Sequence, residues 1–283
     1  MNMEIPIISI IIPCFNHGRF IDDAIHSVEQ STRNDYEIII INDGSTDEYT
    51  NRHLHKLKRK GYNIILQENQ GLGKTRNNGI GIAKGKYILP LDADNMITPE
   101  YITKAVGIME ADPSISIVYS DRELFGNTTG IVQVGEFDVM RIIKANYIDA
   151  CAIYRKKVWE TNHGYDEKMP AQGWEDWDFW LTAIENGFCF YYIPEPLFLY
   201  RVLDNSMIQK LVNNPKYPNL IKYFDIKHSI FIREKYILEI SRLQEKAILL
   251  QKGINSLKRS KSYRLGKFIL KPFSLIKRQL NKY

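Results

Sequence analysis

Apolar residues in the first hundred positions of this chain fall into short unbroken runs. Ile7–Ile12 is almost wholly β-branched and stops at Pro13; Tyr36–Ile41 stops at Asn42-Asp43-Gly44; Asn63–Gln67 and Tyr87–Leu89 follow the same plan. Continuous apolar runs bounded by turn-formers read as strands buried on both faces, the habit of parallel sheets. Between them the period becomes helical. Arg19–Gln30 carries Phe20, Ala24, Ile25 and Val28 on one face, Lys74–Ala83 can form a second helix, and the very basic Asn51–Lys60 reads as a short helix or a loop. Strand and helix in alternation predict an α/β fold, with a mostly parallel central sheet flanked by helices.

Beyond residue 97 the pattern predicts a helix from Pro99 to Ala111, with Thr98 as N-cap and Pro99 at its first position. A strand over Ile115–Tyr119, a hairpin over residues 122–136, a helix over Phe137–Asn146 and a strand over Tyr147–Arg155 follow. The aromatic and acidic patch Gly173–Trp180 opens a helix ending near Gly187, in which Trp177 and Trp180 share one face and read as core. Phe188–Ile193 is the last strand. Asn213–Pro218 reads as a linker, and Ile221–Lys252 as one or two amphipathic helices. The expected organisation is a catalytic domain over 1–212, with halves of about 1–97 and 98–212, and a helical, basic C-terminal extension over 213–283.

Composition changes this picture little. With 44% hydrophobic and 25% charged residues the chain is globular, and no repeat is evident. Glu4 and Pro6 stand where a signal peptide would place its apolar core, and no stretch reaches the roughly 18 apolar residues of a spanning helix. Cys14, Cys151 and Cys189 lack paired spacing and read as reduced core thiols of a cytoplasmic protein. Charge changes it more. Residues 246–283 hold 11 of the 38 Lys and Arg and no acid, which leaves 27 basic against 33 acidic residues before them. A mildly acidic body therefore carries a strongly basic tail. Bulky apolar residues among the charges of Tyr263–Lys282 suit a segment lying in an anionic membrane surface, or a helix packing on the domain or on a second subunit. Nothing else in the chain supports nucleic-acid binding.

The candidate chemistry sits at the strand ends. Pro13-Cys14-Phe15-Asn16, Asn42–Asp47, Asn69–Gly79 and Asp92-Ala93-Asp94 each follow a predicted strand, and a doubly wound sheet gathers such ends on one rim. Asp92 and Asp94 alternate along the chain, so a bend is needed to bring both to one hard cation; otherwise they decorate a solvated turn. A dinucleotide fingerprint is absent from the first turn, and Gly71-Leu72-Gly73-Lys74-Thr75 has the wrong spacing for a phosphate loop.

With "SIIIPCFN" (9–16), "YEIIIINDGSTD" (36–47), "NQGLGKTRNNGI" (69–80), "GKYILPLDADN" (85–95), "GWEDWDFWLTAIENG" (173–187) and "YR" (200–201), residues 5–205 resemble the family 2 inverting glycosyltransferases of GT-A fold that build bacterial surface polysaccharides. The resemblance implies a nucleotide-diphospho-sugar transferase fold and a hexosyl- or N-acetylhexosaminyl-transferase. Pro13 would border the nucleotide base, and Asp43 would accept its ring N–H, which favours a UDP donor, with dTDP second. Gly71 of the glycine loop and Arg76 would lie near the nucleotide, although Lys74 could serve in place of Arg76. Asp92 would contact ribose or a metal-bound water, and Asp94 would bind Mn2+ or Mg2+. Asn95 stands where the family often has another aspartate, and keeps an oxygen donor. In the second half Asp176 would be the general base, with Trp174 and Glu175 at the acceptor. The implied acceptor is a glycan or lipid-linked glycan, reached from the inner face of the plasma membrane through residues 258–283. The C-terminal helices offer a surface for homo-oligomerisation. Two rival readings are a catalytically inactive scaffold in a polysaccharide assembly complex and a phosphatase-like hydrolase. The hydrolase would need its D-x-D after the first strand.

Overall fold

The computed structural model describes residues 5–203, 211, 213–266 and 268. Residues 1–4, 204–210, 212, 267 and 269–283, which include most of the basic segment expected on a membrane, lie outside the described residues. The chain divides into two compact units, Met1–Ser229 and Ile230–Tyr283. Among the described residues no helix is long and apolar enough to cross a membrane.

The first unit is built on one mixed sheet. β1 (Ile8–Cys14) is buried at every position and pairs in parallel with β2 (Tyr36–Asp43) and β4 (Tyr87–Pro90), while β3 (Asn63–Gln67) lies outside β2. The connecting helices α1 (Ile21–Glu29), α2 (Glu48–Arg59) and α3 (Leu72–Ile82) complete three strand–helix–strand units. Ile8, Ile10 and Ile12 are fully buried against Ile21, Ala24 and Val28 of α1 and the rest of the main core. Each such side chain contributes about 1.5–3 kcal/mol by leaving water. Asp47 caps α2 by accepting the N–H groups of Tyr49 and Thr50, which settles residues 48–59 as helix rather than loop.

After the short β5 (Met96–Ile97) and α4 (Tyr101–Ala111), the sheet is extended by strands of both directions. They are β6 (Ile115–Gly126) with its hairpin partner β7 (Gly130–Val132), β8 (Ile153–Arg155) and β9 (Cys189–Val202). The order is β3-β2-β1-β4-β8-β6-β9-β5, with β8 antiparallel to both neighbours. The helices of this half are α5 (Val139–Lys144), α6 (Lys156–Thr161), α7 (Glu175–Glu185) and the start of α8 (Tyr217–Arg259). Trp180 is fully buried, as expected.

Several expectations are corrected. Thr98 does not cap α4: its N–H donates to Leu197 O, its hydroxyl is buried without a hydrogen-bond partner, and Pro99-Glu100 form a turn before the helix starts at Tyr101. The antiparallel pairing of β5 with β9 holds this backbone extended, out of cap geometry. The strand expected over 147–155 shrinks to Ile153–Arg155. Asn146 and Asp149 turn their side chains back to accept the N–H groups of Ile148 and Cys151, at 3.2 and 3.0 Å, so the segment folds as local turns. The last strand instead runs on to Val202, with Pro196 at a register shift against β6, where a missing donor is tolerated. Cys14 and Cys151 are buried, but Cys189 is exposed and is no core thiol.

Two side chains fasten the start of α8 to α7 and to Asp166 in the segment before it. Lys227 reaches Asp166 at 2.5 Å and Asp178 at 2.8 Å, and buried His228 bridges Asp178 and Glu185 at 2.9 and 2.7 Å. Burial opposes the imidazolium, but its two carboxylate partners outweigh burial and raise the His228 pKa.

Candidate active site

The rim at the carboxyl ends of β1, β2 and β4 is assembled by polar side chains that satisfy loop backbone. Asn16 adopts a left-handed conformation, φ 59°, and its Oδ1 accepts the N–H groups of Thr46 and Asp47 at 2.8 and 3.0 Å. Its own N–H donates to Ser45 Oγ at 3.0 Å, so the turn after buried Pro13 is tied to the turn after β2. Asp43, 4% exposed, accepts from Gln67 Nε2 and Gln70 N at 2.8 Å and from Gly71 N at 3.1 Å. It therefore shapes the glycine loop. Gly71 sits at φ 87°, a conformation that a side chain would strain.

One turn into α3, Arg76 is 2% exposed and donates from Nη2 to Asp92 Oδ1 at 2.8 Å. Its guanidinium stacks over the Tyr165 ring, 5.5 Å from the centroid, and its buried Nε has no hydrogen-bond partner. Burial acts against this charge, yet Asp92, Tyr165, Asp176 and Glu175 outweigh it and hold the group protonated. The backbone does bend after Leu91: Asn95 N–H donates to Asp92 O at 3.0 Å. His17 Nδ1 stands 3.7 Å from Asp94 Oδ2. Burial and the charge of Asp92 raise the Asp94 pKa against the pull of His17 and Arg201.

Arg201 of the Tyr200-Arg201 pair fastens this bend from outside. Its N–H donates to Asn95 Oδ1 and its Nε to Asp94 O, both at 2.9 Å, and its Nη2 reaches Asp23 at 2.6 Å. The Asn95 oxygen expected to be available as a donor is therefore engaged by the backbone of β9.

The second half brings Asp176, in the first turn of α7, close enough to Arg76 to feel its charge. Its Oδ2 accepts from Asn146 Nδ2 at 2.9 Å and its Oδ1 from Trp177 N at 2.8 Å. Burial pushes its pKa to about 6, with Arg76 pulling down and Glu175 pushing up. Glu175 is 3% exposed and accepts the Gly173 N–H at 2.8 Å, and burial raises its pKa too. A Cβ on Gly73 would meet Glu175 Cγ at 3.4 Å, so the glycine loop touches the acidic pair directly. Trp174 packs edge-on against Trp177, Tyr217 and Phe224 at 5.0, 5.7 and 5.2 Å. Pro13 lies on β1, and Asp43 ends β2, tied to the glycine loop through Gln70 and Gly71.

Asp149 is a further member that sequence reading missed. The turn before β8 brings its carboxyl close enough to Asp92 and Asp176 to feel their charges. Burial and the charges of Asp92 and Asp176 raise its pKa to about 7. The signal was present in the asparagine and aspartate punctuating residues 146–149, a turn-forming pattern inside an expected strand.

Among the described residues no three His, Cys, Asp or Glu side chains form a ready-made metal cage. The carboxylates at the bend still fit a hard cation, since their mutual repulsion and burial are what a divalent charge relieves. Remaining ligands would have to come from water or a bound diphosphate.

Comparison with known proteins gives a family match and a shared fold. The model of glycosyl transferase family 2 matches residues 9–163. An uncharacterized glycosyltransferase of Methanocaldococcus jannaschii is 25% identical over 238 residues, 80% of each chain. The chondroitin synthase of Escherichia coli is 26% identical over 190 residues, 65% of this chain but 27% of that much longer one. The crystal structure of S. aureus TarS 1–349 in complex with UDP-GlcNAc shares the fold, with a TM-score of 0.62 and 18% identity over 77% of this chain and 65% of that one.

Proposed function

The chain belongs to glycosyl transferase family 2, and from that premise we propose that it is a metal-dependent inverting enzyme of polysaccharide biosynthesis. It moves a hexosyl or N-acetylhexosaminyl unit from a nucleotide-diphosphate donor, UDP before dTDP, to a hydroxyl of a glycan or lipid-linked acceptor. The observation that carries this reading is the gathering of Asp92, Asp176 and Glu175 around one buried guanidinium, Arg76.

Asp176 acts as general base. Inversion requires the acceptor oxygen to attack opposite the leaving group and to lose its proton, and a carboxylate with a pKa of about 6 is ionised at neutral pH yet basic enough to take it. Asn146 and the Trp177 N–H hold that carboxylate in orientation. Asp94 would hold Mn2+ or Mg2+, with Asp92 beside it. When bound, the ion supplies Lewis-acid stabilisation of the charge on the departing diphosphate. Asp43 and Pro13 border the base, Gly71 and Arg76 border the diphosphate side, and Trp174 and Glu175 shape the acceptor side. Two names lend outside support: the chondroitin synthase is a polysaccharide enzyme, and the TarS structure holds UDP-GlcNAc.

Asp176→Asn tests the assignment. Transfer should fall about 10²–10⁴-fold while binding of UDP with Mn2+ persists in calorimetry. Wild-type transfer by this variant would remove Asp176 from the role. The domain boundary near 212 and the attachment of a cytoplasmic enzyme to the inner membrane face through residues 258–283 belong to the same proposal. Equal cosedimentation with anionic liposomes by the full chain and by a chain ending at Ser256 would refute the attachment.

A further inference from the structure

The apolar residues of α8 repeat at intervals of four and three from Tyr236 to Leu257. Positions Ile240, Ala247 and Ile254 alternate with Tyr236, Leu243, Leu250 and Leu257, which are the a and d places of a heptad. This seam lies open: Ile240 and Leu243 are each 53% exposed, Leu250 60%, Ile254 45% and Leu257 67%. Leu238, Ile248 and Leu249 are also exposed but recur at no fixed interval.

We propose that Tyr236–Leu257 pairs with the same segment of a second copy of this chain, as a parallel, in-register, two-stranded coiled coil. Four features select this occupant. A strict seven-residue repeat drifts around a straight helix and is matched only by a supercoiled partner. Isoleucine at two of the three a places and leucine at three of the four d places favour two parallel strands over three or four. At the flanks the parallel register sets Glu239 beside Gln244 and Lys246 beside Gln251 of the other strand, so no like charges meet, and Ile232 and Ile237 extend the apolar contact. Covering residues this exposed removes on the order of 600 Å2 per helix, about 1,200 Å2 for the pair, which reaches the range of specific interfaces. A membrane surface fits less well, because Glu239 and Glu245 interrupt the basic residues of this stretch.

The test is the mass of the full chain by light scattering after gel filtration, at roughly 100 µM, far above the Kd of a specific dimer. The wild type should have twice the monomer mass. Leu243→Glu with Leu250→Glu should halve it while UDP–Mn2+ binding is unchanged. Ala247→Ile fills the small a position and should lower the dimer Kd by about tenfold or more, an effect that misfolding cannot mimic. In a Cys189→Ser background, Leu257→Cys should cross-link to itself on oxidation, as only the parallel register allows. A monomeric or trimeric wild type would overturn the proposal. So would failure of Leu257→Cys to cross-link, or a double-glutamate variant that keeps its mass but loses binding to anionic vesicles.

Discussion

Replacing Arg76 by methionine isolates the electrostatics of the site. Methionine keeps most of the side-chain volume, so the change removes charge more than packing. The guanidinium is 2% exposed and its partner Asp92 is 35% exposed on the side chain. Breaking a buried pair from one side costs about 3–5 kcal/mol, and the half-open carboxylate argues for the lower end. At 2–4 °C per kcal/mol for a domain of this size, the melting temperature should fall by about 6–12 °C. A second consequence is chemical. Arg76 is the main group holding the Asp176 pKa down to about 6. Without it the acidic limb of kcat/KM should move upward by about one pH unit or more, each unit being 1.36 kcal/mol of lost stabilisation of the carboxylate. The limb belongs to the interacting pair of Asp149 and Asp176, so its midpoint is read as that of the pair. Arg76→Lys should recover part of both effects. A melting temperature within 2 °C of wild type, together with an unmoved limb, would refute the placement of Arg76 as the counter-charge.

Asp94→Ala should abolish the rise in melting temperature that Mn2+ adds to UDP, read by thermal shift, while any metal-independent UDP effect remains. Asp149 and Asp176 have folded-state pKa values of about 7 and about 6, above the ordinary carboxyl value, so the folded chain binds the extra protons. Stability without metal should therefore decline as pH rises from about 4 through 7, and Asp149→Asn should flatten that decline and raise the melting temperature at pH 7.5. Gly44→Ala should destabilise by roughly 1–3 kcal/mol, read by denaturant unfolding, because Gly44 sits at φ 65° and a Cβ there would lie 2.5 Å from Asn69 N.

The first half was legible because local and global signals agree there. Each strand from Ile8 to Pro90 is built on a short apolar run, and the turns after β1 and β2 carry residues their backbone needs, as Asn16 and Asp47 illustrate. The later half was legible only in part. Residues 147–152 have the small and β-branched composition of a strand, but Asn146 and Asp149 satisfy backbone N–H groups locally and win over the ladder. Thr98 looked like a helix cap until pairing with β9, a hundred residues on, claimed its backbone. Asp149 was not distinguished, and Arg201 was noted in the Tyr200-Arg201 pair without a role, for the same reason: their roles come from long-range docking, which no window of sequence contains.

That docking has a consequence for how the enzyme comes into being. Arg201 grips the carbonyl of Asp94 and the amide of Asn95 across 107 and 106 positions of chain. During synthesis the Asp92–Asp94 bend therefore leaves the ribosome more than a hundred residues before the arginine that fixes its shape. A nascent chain halted before residue 201 would carry the turns after the first strands, but not the arginine that fastens the Asp92–Asp94 bend.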